Sequence, residues 1–269
     1  MNNIDIFTDD DLSLLRQVPH VLRARGFRLY LNSGKRLIDL WLNGGAAVLG
    51  HTTAKMLREI KNSAGRGLYA PYPHFTENRF IKALSKLLPG RHFRLYAAPP
   101  KELKEFFIKG KAKLWRPYLT AETPFKTDDT PFIIPVLSGI HTWRNGLPLG
   151  LCITAAASEE LFVKLPKSDS FSPVLLAAAA RGIYDILASP QRAKLYFPRV
   201  MKELNSSIWQ RRGIYLTLKK ENNKKEWEAL FQKFLETDFL LPPIQTHPLI
   251  LPAEMSDGEE KKLVSALNK

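Results

Sequence analysis

The spacing of apolar residues along the chain predicts amphipathic helices separated by short strands. Over 77–88 and 225–236, apolar side chains recur every three or four positions, which places them on one face of a helix. An alanine-rich stretch over 173–187 predicts a well-buried helix. From such patterns we predict helices over 8–24 (kinked at Pro19), 53–63, 77–88, 102–108, 173–187, 197–206, 225–236 and the residues following Ser256.

Short apolar segments bounded by turn residues predict the strands. Asn32-Ser33-Gly34-Lys35 has the residue types of a tight hairpin turn, and Ser256 with Glu259 matches a helix-capping box. Residues 110–130 show little periodicity, and 65–74 and 139–150 are typical of loops. We predict strands over 27–31, 36–40, 93–97, 132–137 and 213–218, and extended apolar segments over 149–154 and 248–251.

Composition favours a globular protein in a reducing compartment. The chain has 269 residues, 45% of them apolar and 25% charged, which is typical of one or two folded domains. A single cysteine, Cys152, excludes an internal disulfide. The acidic N-terminus does not resemble a secretory signal, and the longest apolar stretches fall short of the roughly 20 residues that cross a bilayer. We therefore expect a cytoplasmic protein without membrane contact.

An excess of basic residues is the unusual bulk property. Lysine and arginine total 40 against 26 acids, giving a net charge of +14, with concentrations over 91–116 and 189–225. Such density raises affinity for polyanions. However, no helix-turn-helix turn, RNP-type strand or zinc-knuckle spacing accompanies it. A solvated basic surface is the preferred interpretation, and nucleic-acid binding is an alternative.

Several segments, taken in order, resemble one enzyme family. RLYLNSGKRLIDLWLNGGAAVLGH (28–51), FRLYAAPPKELKEFF (93–107), HTWRNGLPLGLCIT (141–154) and SFSPVLLAAAA (170–180) are similar to class III aminotransferases and glutamate-semialdehyde aminomutases. The resemblance implies an α/β fold: a reduced core of the fold-type-I pyridoxal-phosphate (PLP) transferase kind with a small C-terminal α+β domain. It further implies an N-terminal arm with helices over 1–90, a reduced central domain over 91–188 and the C-terminal domain over 189–269.

A PLP-dependent transaminase needs a lysine amine for its Schiff base, a carboxylate beside the pyridinium nitrogen and donors around the phosphate. The resemblance places His141 at the lysine position, and an imidazole cannot form a Schiff base. The nearest downstream lysines are Lys164 and Lys167. In the expected pyridinium zone, Asp128 and Asp129 are the only acids. The catalytic groups of the family are therefore missing or displaced.

The phosphate-binding motif is altered in the same way. Pro99, Pro100 and Lys101 replace the family's Ser-Gly-Ser, which removes two backbone N–H donors, while Glu102 matches the glutamate that follows. Ser170 stands where the family's threonine reaches the phosphate of the neighbouring subunit. Glu102, His141 and Ser170 are thus vestigial candidates for a cofactor site.

Tyr69, Tyr72 and Trp143 are candidates for the substrate entrance that the resemblance implies. The proline- and tyrosine-rich segment can equally serve as a dimer contact. His51 has no second histidine or cysteine at ligand spacing, so we expect no metal site.

These observations predict a degenerate aminotransferase-like protein without PLP-dependent transamination. It would act by binding, as a homodimer or with a full-length aminotransferase. Alternatives are an atypical enzyme that binds PLP or another phosphate ligand, and polyanion or nucleic-acid binding through the basic patches. Whether the protein is an enzyme stays open at this stage.

Overall fold

The computed structural model describes residues 12–137, 142–144, 146–194, 197–204 and 207–268. The strands are β1 (Val21–Arg25), β2 (Arg28–Leu31), β3 (Arg36–Asp39), β4 (His92–Tyr96), β5 (Ala112–Trp115), β6 (Phe132–Pro135), β7 (Thr142–Arg144), β8 (Leu147–Leu149), β9 (Cys152–Ala156), β10 (Trp209–Arg212), β11 (Tyr215–Leu218), β12 (Phe239–Leu240) and β13 (Leu249–Ile250).

The α-helices are α1 (Ala54–Ala64), α2 (Thr76–Leu87), α3 (Lys101–Ile108), α4 (Glu159–Phe162), α5 (Pro173–Leu187), α6 (Pro198–Leu204), α7 (Lys224–Glu236) and α8 (Asp257–Leu267). Short 3-10 helices cover Ser13–Gln17, Asn43–Gly45 and Pro190–Lys194.

A four-stranded sheet in the order β4-β9-β6-β5 carries a hydrophobic core on each face. Strands β5 and β6 are parallel, whereas β9 is antiparallel to β6 and to β4. Successive side chains of a strand point to opposite faces. Accordingly, Ile153 and Ala155 of β9 join one core, and Cys152 and Ala156 join the other.

Helices α1, α2 and α5 pack together beside this sheet. The alanines of α5 contribute little volume, so α2 can approach closely and bury Phe80 and Leu84 completely. On the other face lies α3, where Phe106 stacks on Phe132 with ring centroids 4.5 Å apart.

The first and last thirds of the chain share a second core. Strand β12 pairs in parallel with β3 in the sheet β1-β2-β3-β12, and β13 completes the antiparallel sheet β10-β11-β13. Leu40 links the two, because its N–H donates to Leu240 and its carbonyl accepts from Ile250. Helices α7 and α8 bury Phe231, Phe234 and Leu263 in this core.

Local signals predicted many of these elements correctly. The β2–β3 hairpin closes over residues 32–35 with Gly34 at φ +80°, and the capping box of Ser256 and Glu259 is present at the start of α8. The predicted helix over 8–24 is wrong beyond Pro19, whereas Ser13–Gln17 before it form a short 3-10 helix. Pro19 cannot donate a helical hydrogen bond, and the chain beyond it pairs with β2 as β1.

Besides β1, strands β5, β7, β8, β10 and β12 were not predicted. Strand β5 lies within 110–130, the β7–β8 hairpin lies within the expected loop 139–150, and β10 precedes the predicted strand β11. In the described ranges, no helix combines the length and apolar character that a bilayer crossing requires.

Candidate functional site

The junction between β4 and α3 is where the resemblance places the cofactor phosphate. The N-cap of α3 is Pro100, which has no N–H and makes no side-chain cap. The Ala97 N–H donates to Asp169 Oδ2 at 2.8 Å, and the Leu95 N–H donates to Ser168 Oγ at 3.1 Å. Two backbone N–H groups at this junction therefore already donate to side chains of this chain, Ser168 and Asp169. The carboxylate of Asp169 would also repel a phosphate. The donor set does not fit a phosphate group.

Glu102 and Ser170 lie at the same end of β4 but are exposed to solvent. Glu102 is in the first turn of α3, and Ser170 follows Asp169, whose N–H donates to Leu95 O at 2.9 Å. His141 lies outside the described residues. The structure thus brings two of the three vestigial candidates to one region without forming a buried site.

Trp143 packs into a notch above Gly44. A Cβ built on Gly44 would lie 2.2 Å from Trp143 Cζ2, so the indole occupies the space that any side chain at position 44 would need. The indole Nε1 donates to Asn43 Oδ1 at 3.0 Å. Trp143 is 3% exposed and packs with Trp41 and Val136. It was predicted at a substrate entrance, but it lies in the interior.

A buried polar chain surrounds this notch. The rings of Trp143 and His247 form a T-shaped pair with centroids 4.3 Å apart, and Trp41 Nε1 donates to His247 Nδ1 at 3.2 Å. Asp39 Oδ1 accepts from the N–H groups of Trp41 and Leu42, both at 2.8 Å. These contacts fix the Gly-rich loop, which contains Gly44 and Gly45, and the β7–β8 hairpin against each other.

His51 completes the chain through the other oxygen of Asp39. Its Nε2 lies 2.8 Å from Asp39 Oδ2, and the Asp39 side chain is 3% exposed. A carboxylate–imidazole pair of this kind orients both groups. Throughout the described ranges, no three histidine, cysteine or acidic side chains gather as a metal site would require.

The lysines on either side of the β7–β8 hairpin are more than ten residues away from it in the sequence. The sequence has no lysine between Lys126 and Lys164. Lys164 and Lys167 are exposed in the segment that follows α4, and Lys126 is exposed in the segment before β6. The described part of the hairpin, 142–144 and 146–149, therefore contributes no amine.

Asp128 takes part in an exposed ion pair. Its carboxylate contacts Lys113 Nζ, and Oδ1 accepts from Thr130 Oγ1 at 2.6 Å. The hydrogen bonds from Lys113 and Thr130 hold the pKa of Asp128 well below its usual range. Asp129 is also exposed.

The aromatic segment before α2 lies on the surface. Tyr69 is 68% exposed, Tyr72 59% and Phe75 61%, and the rings of His74 and Phe75 are 4.1 Å apart. The sequence analysis included Tyr69 and Tyr72 as substrate-entrance candidates. It did not include Phe75, which lies outside every predicted element.

Comparison with solved structures defines the class of fold. An ornithine aminotransferase of Plasmodium yoelii matches with a TM-score of 0.62 at 11% identity, covering 92% of this chain and 92% of that one. The acetylornithine aminotransferase of Elizabethkingia anophelis gives 0.59 at 11% identity, with 92% of each chain covered. A β-phenylalanine aminotransferase of Variovorax paradoxus gives 0.61 at 11% identity, covering 92% and 86%. The chain therefore has the mixed α/β fold of fold-type-I PLP-dependent aminotransferases, as predicted.

Sequence comparison finds two relatives whose alignments cover about nine-tenths or more of both proteins. No family model matches the chain. An uncharacterized protein of Borreliella burgdorferi is 28% identical over 264 residues, covering 96% of this chain and 94% of that protein. An uncharacterized protein of Treponema pallidum is 25% identical over 296 residues, covering 89% and 91%. These alignments span most of each protein.

Proposed function

We propose that this protein has an aminotransferase fold but does not transaminate, and that it acts by binding. The observation that carries the proposal is the position of Trp143, whose indole fills the notch above Gly44 in the segment where the family carries its Schiff-base lysine. An aromatic ring fixed by contacts with Asn43 and His247 leaves that space closed.

The donor set at the start of α3 supports the same proposal. When bound, PLP supplies an aldehyde and an electron-withdrawing ring to an amino substrate. In this chain, Pro99 and Pro100 offer no N–H, and Asp169 already accepts the N–H of Ala97. A phosphate at that position would meet a carboxylate and fewer donors.

Spectral titration tests this proposal. Purified protein is mixed with PLP and scanned near the aldimine band, with an authentic aminotransferase as positive control. We expect no saturable band and no amino-group transfer from ornithine or alanine to an oxo acid. A saturable band together with turnover above the rate with free PLP would overturn the proposal.

We further propose that binding takes the form of self-association through the aromatic segment before α2. Tyr69, Tyr72 and Phe75 expose three large apolar side chains within seven residues, and exposed aromatic groups are enriched at protein interfaces. A homodimer built on this segment is the first expectation. A full-length aminotransferase from the same organism is the second partner to test.

Sedimentation velocity measures this directly. We expect a dimer for the unmodified protein and a monomer for Tyr69→Ser combined with Tyr72→Ser. Ile108→Ser is the matched control, because Ile108 is 62% exposed at the end of α3. A monomer that also fails to co-purify with same-organism aminotransferases would contradict the assembly proposal without affecting the spectral result.

A further inference from the structure

A large cleft lies between the outer edge of β5 and the β10–β11 hairpin. Its volume is about 780 Å³, and it is lined from the β5 side by Lys113 and Arg116 and from the hairpin by Arg211 and Arg212. In the described sheet, β5 pairs with β6 alone, so its other edge faces this space. The volume lies within the range of about 300–1,000 Å³ that is typical of small-molecule sites.

Positive charge dominates the lining of this cleft. Lys126 joins the four basic residues above, and Asp128 is the only acid among the lining residues that the structure describes. Asp128 is already bound to Lys113 and Thr130. Among the described lining residues, basic side chains therefore outnumber acidic ones by five to one.

Arg116 is the most unusual of these residues. It follows β5 directly, and its Nε donates to Gly44 O at 3.0 Å. Its Nη2 is shielded from solvent and has no hydrogen-bond partner within the described residues. No described carboxylate forms an ion pair with it. Burial lowers the pKa of Arg116 to about 10, so the guanidinium stays charged at neutral pH.

A buried charge without a counterion is costly, because the charge loses hydration and gains no compensating interaction. The loop containing Gly44 and Gly45 positions the guanidinium, because Gly44 O accepts the hydrogen bond from Arg116 Nε. Guanidinium groups recognise phosphate and carboxylate oxygens through charge-assisted hydrogen bonds. An anionic ligand would supply the missing counterion.

We propose that this cleft binds a small molecule carrying a phosphate or carboxylate group, with Arg116 at its base and Lys126 and Arg212 at its rim. The side chains of Gln210, Thr217 and Thr246 also line the cleft and offer hydrogen bonds to the rest of such a ligand. Phosphate and carboxylate share the oxyanion chemistry that the guanidinium recognises. The proposal does not depend on the loss of transamination.

Calorimetric titration with pyrophosphate and, separately, with citrate tests the proposal, at an ionic strength held constant with sodium chloride. We expect saturable binding of at least one probe, and their relative affinities distinguish a phosphate ligand from a carboxylate ligand. Arg116→Gln should weaken binding by about tenfold or more, because a charge-assisted hydrogen bond is lost. Arg58→Gln, on the exposed face of α1, removes the same charge and should leave affinity unchanged.

If Arg116→Gln does not fold, Lys126→Gln and Arg212→Gln decide the matter, since both residues are exposed at the rim. Each should weaken binding severalfold. Saturation by neither probe, or an equal effect of Arg58→Gln, would overturn the proposal. Tight and steeply salt-dependent binding of a DNA duplex, with no response to either small anion, would also overturn it.

Discussion

Trp143 and Gly44 are fitted to each other across 99 positions of the chain: the indole of Trp143 occupies the place of the missing Cβ of Gly44, with Cζ2 only 2.2 Å from where that Cβ would be. Gly44 also has φ +65°, in the left-handed region that favours glycine. Both features make position 44 intolerant of a side chain. They join the Gly-rich loop and the β7–β8 hairpin into one packed unit.

Gly44→Ala should therefore destabilise the protein by about 2–5 kcal/mol, because a left-handed alanine is strained and its Cβ collides with the indole. Urea unfolding measures the loss. Gly34→Ala is the matched control: Gly34 has φ +80°, but no atom lies within 4 Å of the place that a Cβ would take there, so only the backbone cost of about 1–2 kcal/mol should remain. Equal losses for the two variants would contradict the packing argument.

Trp143→Ala should lower the free energy of unfolding by about 3–5 kcal/mol, because it leaves a large cavity beside Trp41 and Val136. Combined with Gly44→Ala, the loss should be smaller than the sum of the two single losses, since removing the indole removes the collision. Thr142→Ala, on an exposed neighbour in β7, should change stability by less than about 0.5 kcal/mol. Strict additivity of the first two substitutions would show that the residues do not interact.

Glu259 should make stability depend on pH. Burial alone would raise the pKa of Glu259, but the hydrogen bonds from Arg28 and Ser256 and the charge of Arg28 outweigh burial and lower it. A lowered folded-state pKa stabilises the protein above the unfolded value of about 4.3 and loses that effect as the pH falls through the folded value. Glu259→Gln should therefore cost about 1 kcal/mol at pH 7 and progressively less below pH 4.3.

The control for this pH dependence is Glu254→Gln. Glu254 is 75% exposed and lies 3.7 Å from Arg28, so its removal should change the free energy of unfolding by less than about 0.5 kcal/mol at any pH. A difference between wild type and Glu259→Gln that grows as the pH falls would show that the sign of the linkage is wrong.

Cys152 should be unreactive in the folded protein. It is fully buried in β9, and burial raises the pKa of its thiol to about 12, so little thiolate forms at neutral pH. We expect no reaction with Ellman's reagent in buffer and one equivalent in about 8 M urea, a concentration that unfolds most domains. A full equivalent in buffer would contradict the buried position.

Local signals were sufficient to predict elements whose structure depends on neighbouring residues. The β2–β3 hairpin follows from its turn residues, and α8 begins at the capping box of Ser256 and Glu259. The wrong helix over 8–24 had helical spacing, but pairing between Val21–Arg25 and β2 determined its second half. Strand β5 covers only four residues, Ala112–Trp115, which is too short for a periodic signal.

The features of the candidate sites depend on contacts between distant segments. The burial of Trp143 requires Gly44 and His247, which lie in different thirds of the chain. The lack of a counterion for Arg116 emerges only when the surrounding loops are assembled. The sequence indicated that Pro99 and Pro100 remove donors, but it did not indicate that Asp169 accepts the N–H of Ala97.

Reductive trapping is the most direct test of the claim that this aminotransferase fold lacks transaminase chemistry. The folded protein is incubated with stoichiometric PLP, reduced with borohydride and mapped by peptide mass spectrometry. The account predicts only scattered, substoichiometric pyridoxyl labels on exposed lysines, equal in Trp143→Ala and in the unmodified protein. A single lysine labelled to one equivalent per chain would contradict it.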